Sequence, residues 1–168
     1  VGLYSAAVPL GQIFLLLMAS IGITLLQHLS ELYAKKDYAA FKNVVIKIHT
    51  YLFYCFPLIL FSAIFSKYLI WVLFGAKYVP ASMAASVLLF SVFFQTFFNI
   101  NMHVLVSTGR QRIGNVIIII GAVTNIFLNF LLIPRYDFVG ASIATMVSFG
   151  AISIAAMVTN WRFISRLH

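Results

Sequence analysis

What this chain lacks is charge, and acidic charge above all. Only 8% of its 168 residues are Asp, Glu, Lys or Arg, against roughly 25% in ordinary soluble domains. Three acids, Glu31, Asp37 and Asp137, stand against eleven Lys or Arg. A water-soluble protein of this length must cover its surface with polar groups, and so few charged side chains cannot do that. The single cysteine, Cys55, lies inside an apolar run, which excludes a disulfide framework and a Cys-based metal site. The four histidines (His28, His49, His103, His168) include no pair three or four residues apart, so no helix face carries a two-histidine metal site. No Gly-rich phosphate loop and no Gly-x-Ser-x-Gly turn occurs. Catalysis would need paired carboxylates, a metal cluster or an activated nucleophile. The chain is therefore expected not to be an enzyme, to bind no cofactor and to hold no metal.

What is present is apolar: 63% of the residues, against roughly 45–50% in soluble domains. In lipid the outside of a bundle is as apolar as its core, so the composition predicts an all-α membrane helix bundle. A helix needs about 20 residues to cross the hydrocarbon layer, and about five stretches qualify. They cover about 6–27, 48–65, 81–107, 113–133 and 139–160, a single membrane domain with no soluble part. The connector HLSELYAKKDYAAFKNVVIK mixes polar and apolar residues at helical spacing. Leu29, Leu32, Tyr33 and Phe41 would form the apolar face either of a helix lying at the membrane interface or of a cytosolic helical hairpin. The segment SKYLIWVLFGAKYVPAS is too short to cross and reads as an interfacial turn closed by Gly75 and Pro80.

Charge asymmetry sets an orientation. Lys35, Lys36, Lys42, Lys47, Arg110, Arg112, Arg162 and Arg166 fall on one side, and Lys67, Lys77 and Arg135 on the other. The positive-inside rule places the richer side in the cytoplasm, so the chain's N-terminus faces out and its C-terminus faces in. The net charge of +8 suits anionic lipid headgroups. Nucleic acid is not expected as a partner, because no basic groove is interleaved with aromatics. The opening VGLYSAA has neither initiator Met nor a basic stretch ahead of an apolar core, so it reads as the interior start of a fragment.

The polar groups within spans are the candidate functional residues, since such groups turn toward a bundle interior or a wet cavity. Gln95, Asn99, Asn101 and His103 crowd the third span, and Asn99 and His103 share a face at i, i+4. They either line a path for a hydrophilic substrate or hydrogen-bond between helices where the span meets water. Asn125 and Asn129, also at i, i+4, are expected to bond neighbouring helices together. Arg110 and Arg112 would stand at the cytoplasmic mouth, as phosphate attractors or as topology determinants. Gly140, Ala141, Ala144 and Ser148 would let helices approach closely, and Pro57 can bend the second span.

The order of short motifs resembles a known family. VGLYSAAVPL, LSELYAKKD, LFGAKYVPAS (Leu73 to Ser82), STGRQRIGNV and LLIPRYDFVGASIAT (Leu131 to Thr145) follow one another as in the C-terminal half of polysaccharide and oligosaccharide-lipid flippases. That family belongs to the superfamily that also holds the MATE drug exporters and the lipid II flippases. The resemblance implies most of one lobe of a two-lobed transporter in the cell (plasma) membrane, with its N-terminal lobe missing. It implies a lipid-linked glycan as substrate, membrane lipids as partners and transport by alternating access. Gln95, Asn99, Asn101, His103, Arg110 and Arg112 are the substrate-path candidates. Two departures stand out: family members often carry an Asp-Arg pair in the helix before VGLYSAA, a helix missing here, and Asp137 replaces a common Gly, implying a less tight turn after Arg135. The alternatives are a drug or cation exporter of the same superfamily, a membrane-bound glycosyl or acyl transferase subunit, and a non-transporting remnant.

Overall fold

A computed structural model describes residue 12 and residues 22–167 of the chain. The first expected span therefore lies mostly outside the described residues. Its end opens helix α1, residues 22–34. Three further α-helices and one long, reversed helix follow: α2 (Tyr38–Ile64), α3 (Ser66–Phe74), α4 (Ser82–Ser107) and α5 (Gln111–Ile164), with a 3-10 turn at Ala76–Ala81 ahead of α4. No strand occurs among the described residues. The molecule is an all-α bundle, and α2, α5 and the continuous stretch Ala76–Ser107 are each long and apolar enough to cross a membrane.

Local chemistry sets where each helix stops. At the end of α1 the Lys36 N–H donates to Tyr33 O (3.1 Å) and the Asp37 N–H to Leu32 O (3.1 Å), with Lys36 at φ 59°. That pattern closes a helix by satisfying its last carbonyls. Asp37 then caps α2, its carboxylate accepting from the Ala40 N–H at 3.0 Å, a bond worth about 1 kcal/mol. The connector between the first two spans is thus a helical hairpin. Leu29 and Phe41 are wholly buried in the core, with Leu32 and Tyr33 packed beside them, so the apolar face meets protein and not the bilayer interface. α4 ends in the same way, with the Arg110 N–H reaching Leu105 O at 2.7 Å and Gly109 at φ 71°.

The segment expected as an interfacial turn contains a full short helix. α3 buries Ile70 against Ala81 and Ala85 and leaves Tyr68, Trp71, Val72 and Leu73 exposed. Gly75 at φ 88° ends it, and Pro80 lies within the 3-10 turn. α2 runs unbroken through Pro57.

α5 unites the fourth and fifth expected spans, because the loop predicted around PRYDFVG is a reversal only one residue wide. Asp137 has φ 48° and ψ −133°, close to the first central position of a type II′ turn, where glycine is favoured. The turn is therefore tight in spite of its aspartate, contrary to the looser turn expected. The two arms, 111–136 and 138–164, then run antiparallel: a Cβ on Gly140 would run into the Leu132 carbonyl, and Ile117 and Ile152 share one apolar cluster. At 1.5 Å per residue each arm is about 40 Å long, more than the roughly 30 Å hydrocarbon layer.

The ends of the bundle differ in charge. Lys42 Nζ donates to Leu167 O at 2.7 Å, the Arg110 guanidinium sits 4.4 Å above the Phe163 ring, and Tyr33 stacks near the same ring at 6.4 Å. These contacts gather the ends of α1, α4 and α5 and the start of α2, and with them the eight-base set, into one basic end. Lys67 lies in the first turn of α3 and Lys77 in the 3-10 turn that follows it, and Arg135 adjoins the Asp137 reversal at the far end of both arms.

Candidate functional site

α4 is the central helix, packed against α2 on one side and both arms of α5 on another. Its polar residues divide by angle. Thr96, Asn99 and His103, spaced i, i+3, i+7, form a seam along one face. That seam opens on a cavity of about 520 Å³ between α1, α2 and α4. Gly22, Ile23 and Leu25 from α1, and Ile48, Tyr51, Leu52 and Cys55 from α2, supply the opposite wall. His103 is half-buried, and Gly22 lets α1 approach it: a Cβ there would stand 2.6 Å from Nε2. The cavity is two-sided: α4 presents the polar seam beside Ile100 and Met102, and α1 and α2 are apolar apart from Tyr51.

A second cavity of about 390 Å³ lies between α4 and the two arms of α5. Asn99 lines it as well, with Asn125, Thr145 and Ser148 among the other lining residues. Asn129 Nδ2 donates to Asn125 Oδ1 at 2.9 Å. These two asparagines therefore bond to each other along one arm, where bonding between helices was expected. The Ser148 hydroxyl and Asn129 Oδ1 are buried without a hydrogen-bond partner among the described residues.

Asn101 turns to the other side of α4 and leaves the path altogether. It is 0% exposed, and its Nδ2 donates to Phe97 O (2.9 Å) and lies 3.3 Å from His49 Nε2. Its Oδ1 and its backbone carbonyl both accept from Asn160 Nδ2, at 3.0 and 2.9 Å. His49 Nδ1 lies 2.7 Å from Val45 O. A carbonyl can only accept, so the ring proton sits on Nδ1 and Nε2 is free to accept from Asn101. The result is a buried polar tie joining α2, α4 and α5.

The six sequence candidates therefore do not form one site. Asn99 and His103 share the larger cavity, whereas Gln95 is half-buried and lines neither cavity. Arg110 is held on Phe163 at the basic end, and Arg112 is exposed nearby. Thr96 and Tyr51 line the larger cavity without having been singled out. For Thr96 the signal was available, because it falls on the same helical face as Asn99 and His103. Asn160, at the last position of the expected fifth span, gave no sign in sequence of a partner 59 residues away.

An uncharacterized membrane protein of Methanocaldococcus jannaschii is 34% identical to this chain over 146 residues, 86% of the chain. The match spans 29% of that protein's length. No protein-family model and no solved structure matches. The likeness and the three long apolar helices together make this chain a membrane protein.

Proposed function

We propose that this chain forms the greater part of one lobe of a multi-pass transporter that flips a lipid-linked oligosaccharide or polysaccharide precursor across the cytoplasmic membrane. The observation that carries the reading is the two-sided cavity. A flippase substrate is amphipathic, and a polar seam on α4 faces an apolar wall on α1 and α2. The ordered motifs from LFGAKYVPAS to LLIPRYDFVGASIAT support the same family. Segregation of the bases to the two ends of the bundle favours the orientation with α1 descending to the cytoplasm, the basic end inside and the C-terminus inside.

Alternating access requires two lobes rocking about a shared cavity, so this chain acts with a partner lobe and lines one wall. The basic end, with Arg110 and Arg112, favours an anionic head group on the cytoplasmic face. Drug export coupled to H⁺ or Na⁺ through a membrane-embedded acid is disfavoured, because Glu31, Asp37 and Asp137 all stand at helix ends or turns. The test is translocation of a fluorescent lipid-linked oligosaccharide by the full-length protein in proteoliposomes, read by loss of access to an external glycosidase. Flipping above protein-free vesicles is expected. Folded protein that leaves the substrate on its original side refutes the reading.

A further inference from the structure

The larger cavity suits hydrocarbon better than sugar. A sugar ring carries several hydroxyls, and each one left unpaired in apolar surroundings lowers occupancy roughly tenfold or more. Among the described residues, only Tyr51, Thr96, Asn99 and His103 bring hydrogen-bonding side chains of useful strength to the space, and Ile48, Leu52 and Ile100 dominate the remainder. Its volume of about 520 Å³ is that of a small-molecule site, which is typically apolar with a few polar groups that fix orientation. At the rim Ile23 is 64% exposed and Tyr51 59%, so a chain dissolved in the bilayer would meet one aliphatic and one amphipathic side chain on entering.

Resting on the flippase reading, we infer that this cavity holds the head-proximal segment of the substrate's hydrocarbon chain, and that the Thr96–Asn99–His103 seam meets only the polar group where chain and glycan join. The glycan itself travels outside this cavity, in the space the partner lobe completes. Bulk lipid is as apolar as the α1 and α2 wall, so the wall alone cannot select a chain. Selection comes from the seam.

Photolabelling of the full-length protein in proteoliposomes tests this. Two analogues of a polyprenyl-diphosphate oligosaccharide are compared, one with a diazirine near the head end of the chain and one with a diazirine on the terminal sugar. Adducts are mapped by mass spectrometry. The chain probe is expected to label Ile23, Ile48 and Leu52 at least tenfold more than the sugar probe does, and more than a diazirine phospholipid at equal mole fraction. Ile48→Trp, which fills the cavity, should cut chain labelling about tenfold. Ile23→Trp at the exposed rim should do the same where Ile48→Trp does not fold. Sugar-probe adducts on these residues, or chain labelling no greater than that by phospholipid, would overturn the inference. Flipping without cavity labelling removes this inference alone, whereas labelling without flipping removes the flippase reading and leaves a chain-binding site.

Discussion

Asn99 and Asn101 stand two residues apart on α4 and differ in role, which makes them a sharp test of how this helix is used. Asn101→Leu keeps the number and branching of the side chain's heavy atoms and removes every polar atom of the amide. His49 Nε2 then has no donor, and Asn160 Nδ2 loses the 3.0 Å contact to Oδ1 while keeping the backbone carbonyl at 2.9 Å. A buried acceptor left unpaired costs about 1–3 kcal/mol. A lost interhelical bond in a membrane bundle costs about 0.6 kcal/mol on average. The expected loss is therefore about 2–3 kcal/mol. Asn99 is exposed and lines cavities, so Asn99→Leu should change stability by less than about 0.5 kcal/mol, as surface substitutions do. Reversible unfolding in mixed micelles, followed by circular dichroism, measures both. In a His49→Leu background the Asn101→Leu penalty should shrink, because both partners are then apolar. Equal losses for Asn99→Leu and Asn101→Leu would refute the division of α4 into a cavity seam and a structural tie.

Two further substitutions probe the α5 reversal. Asp137→Gly should stabilise the protein by about 0.5–2 kcal/mol in the same assay, since relief of a positive-φ backbone (about 1–3 kcal/mol) outweighs glycine's greater chain entropy (about 0.5–1 kcal/mol). A loss of stability would mean that the aspartate side chain holds the turn. Gly140→Ala should destabilise by more than about 1 kcal/mol, because its Cβ meets the Leu132 backbone and no flexible side chain can move aside. An unchanged midpoint would show that the arms are less closely apposed than described.

The fold was legible to the extent that hydrophobic length decides it. α2, α4 and the arms of α5 fall where apolar runs of about 20 residues stand, because the bilayer leaves the backbone no alternative to helix. Hydropathy is blind to what a helix end does within two or three residues. Asp137 at φ 48° carries a reversal that composition alone renders as a loop, and Lys36 at φ 59° closes the hairpin that the connector's spacing offered only as one of two alternatives. The site was half legible. The i, i+4 spacing places Asn99 and His103 on one cavity, but proximity in sequence also drew in Asn101, which points the other way. Its partners His49 and Asn160 lie 52 and 59 residues off, and no local pattern encodes such a tie. Arg110 showed the same limit, because only the folded end of the bundle sets Phe163 beneath it.

The most direct measurement is the initial flipping rate of His103→Ala in the full-length protein, compared with the parent at equal amounts of folded, reconstituted protein. Removing one polar contact of about 1 kcal/mol from the seam should lower the rate about fivefold while the unfolding midpoint holds. A rate equal to the parent's, with the protein folded, would contradict a substrate path along α4.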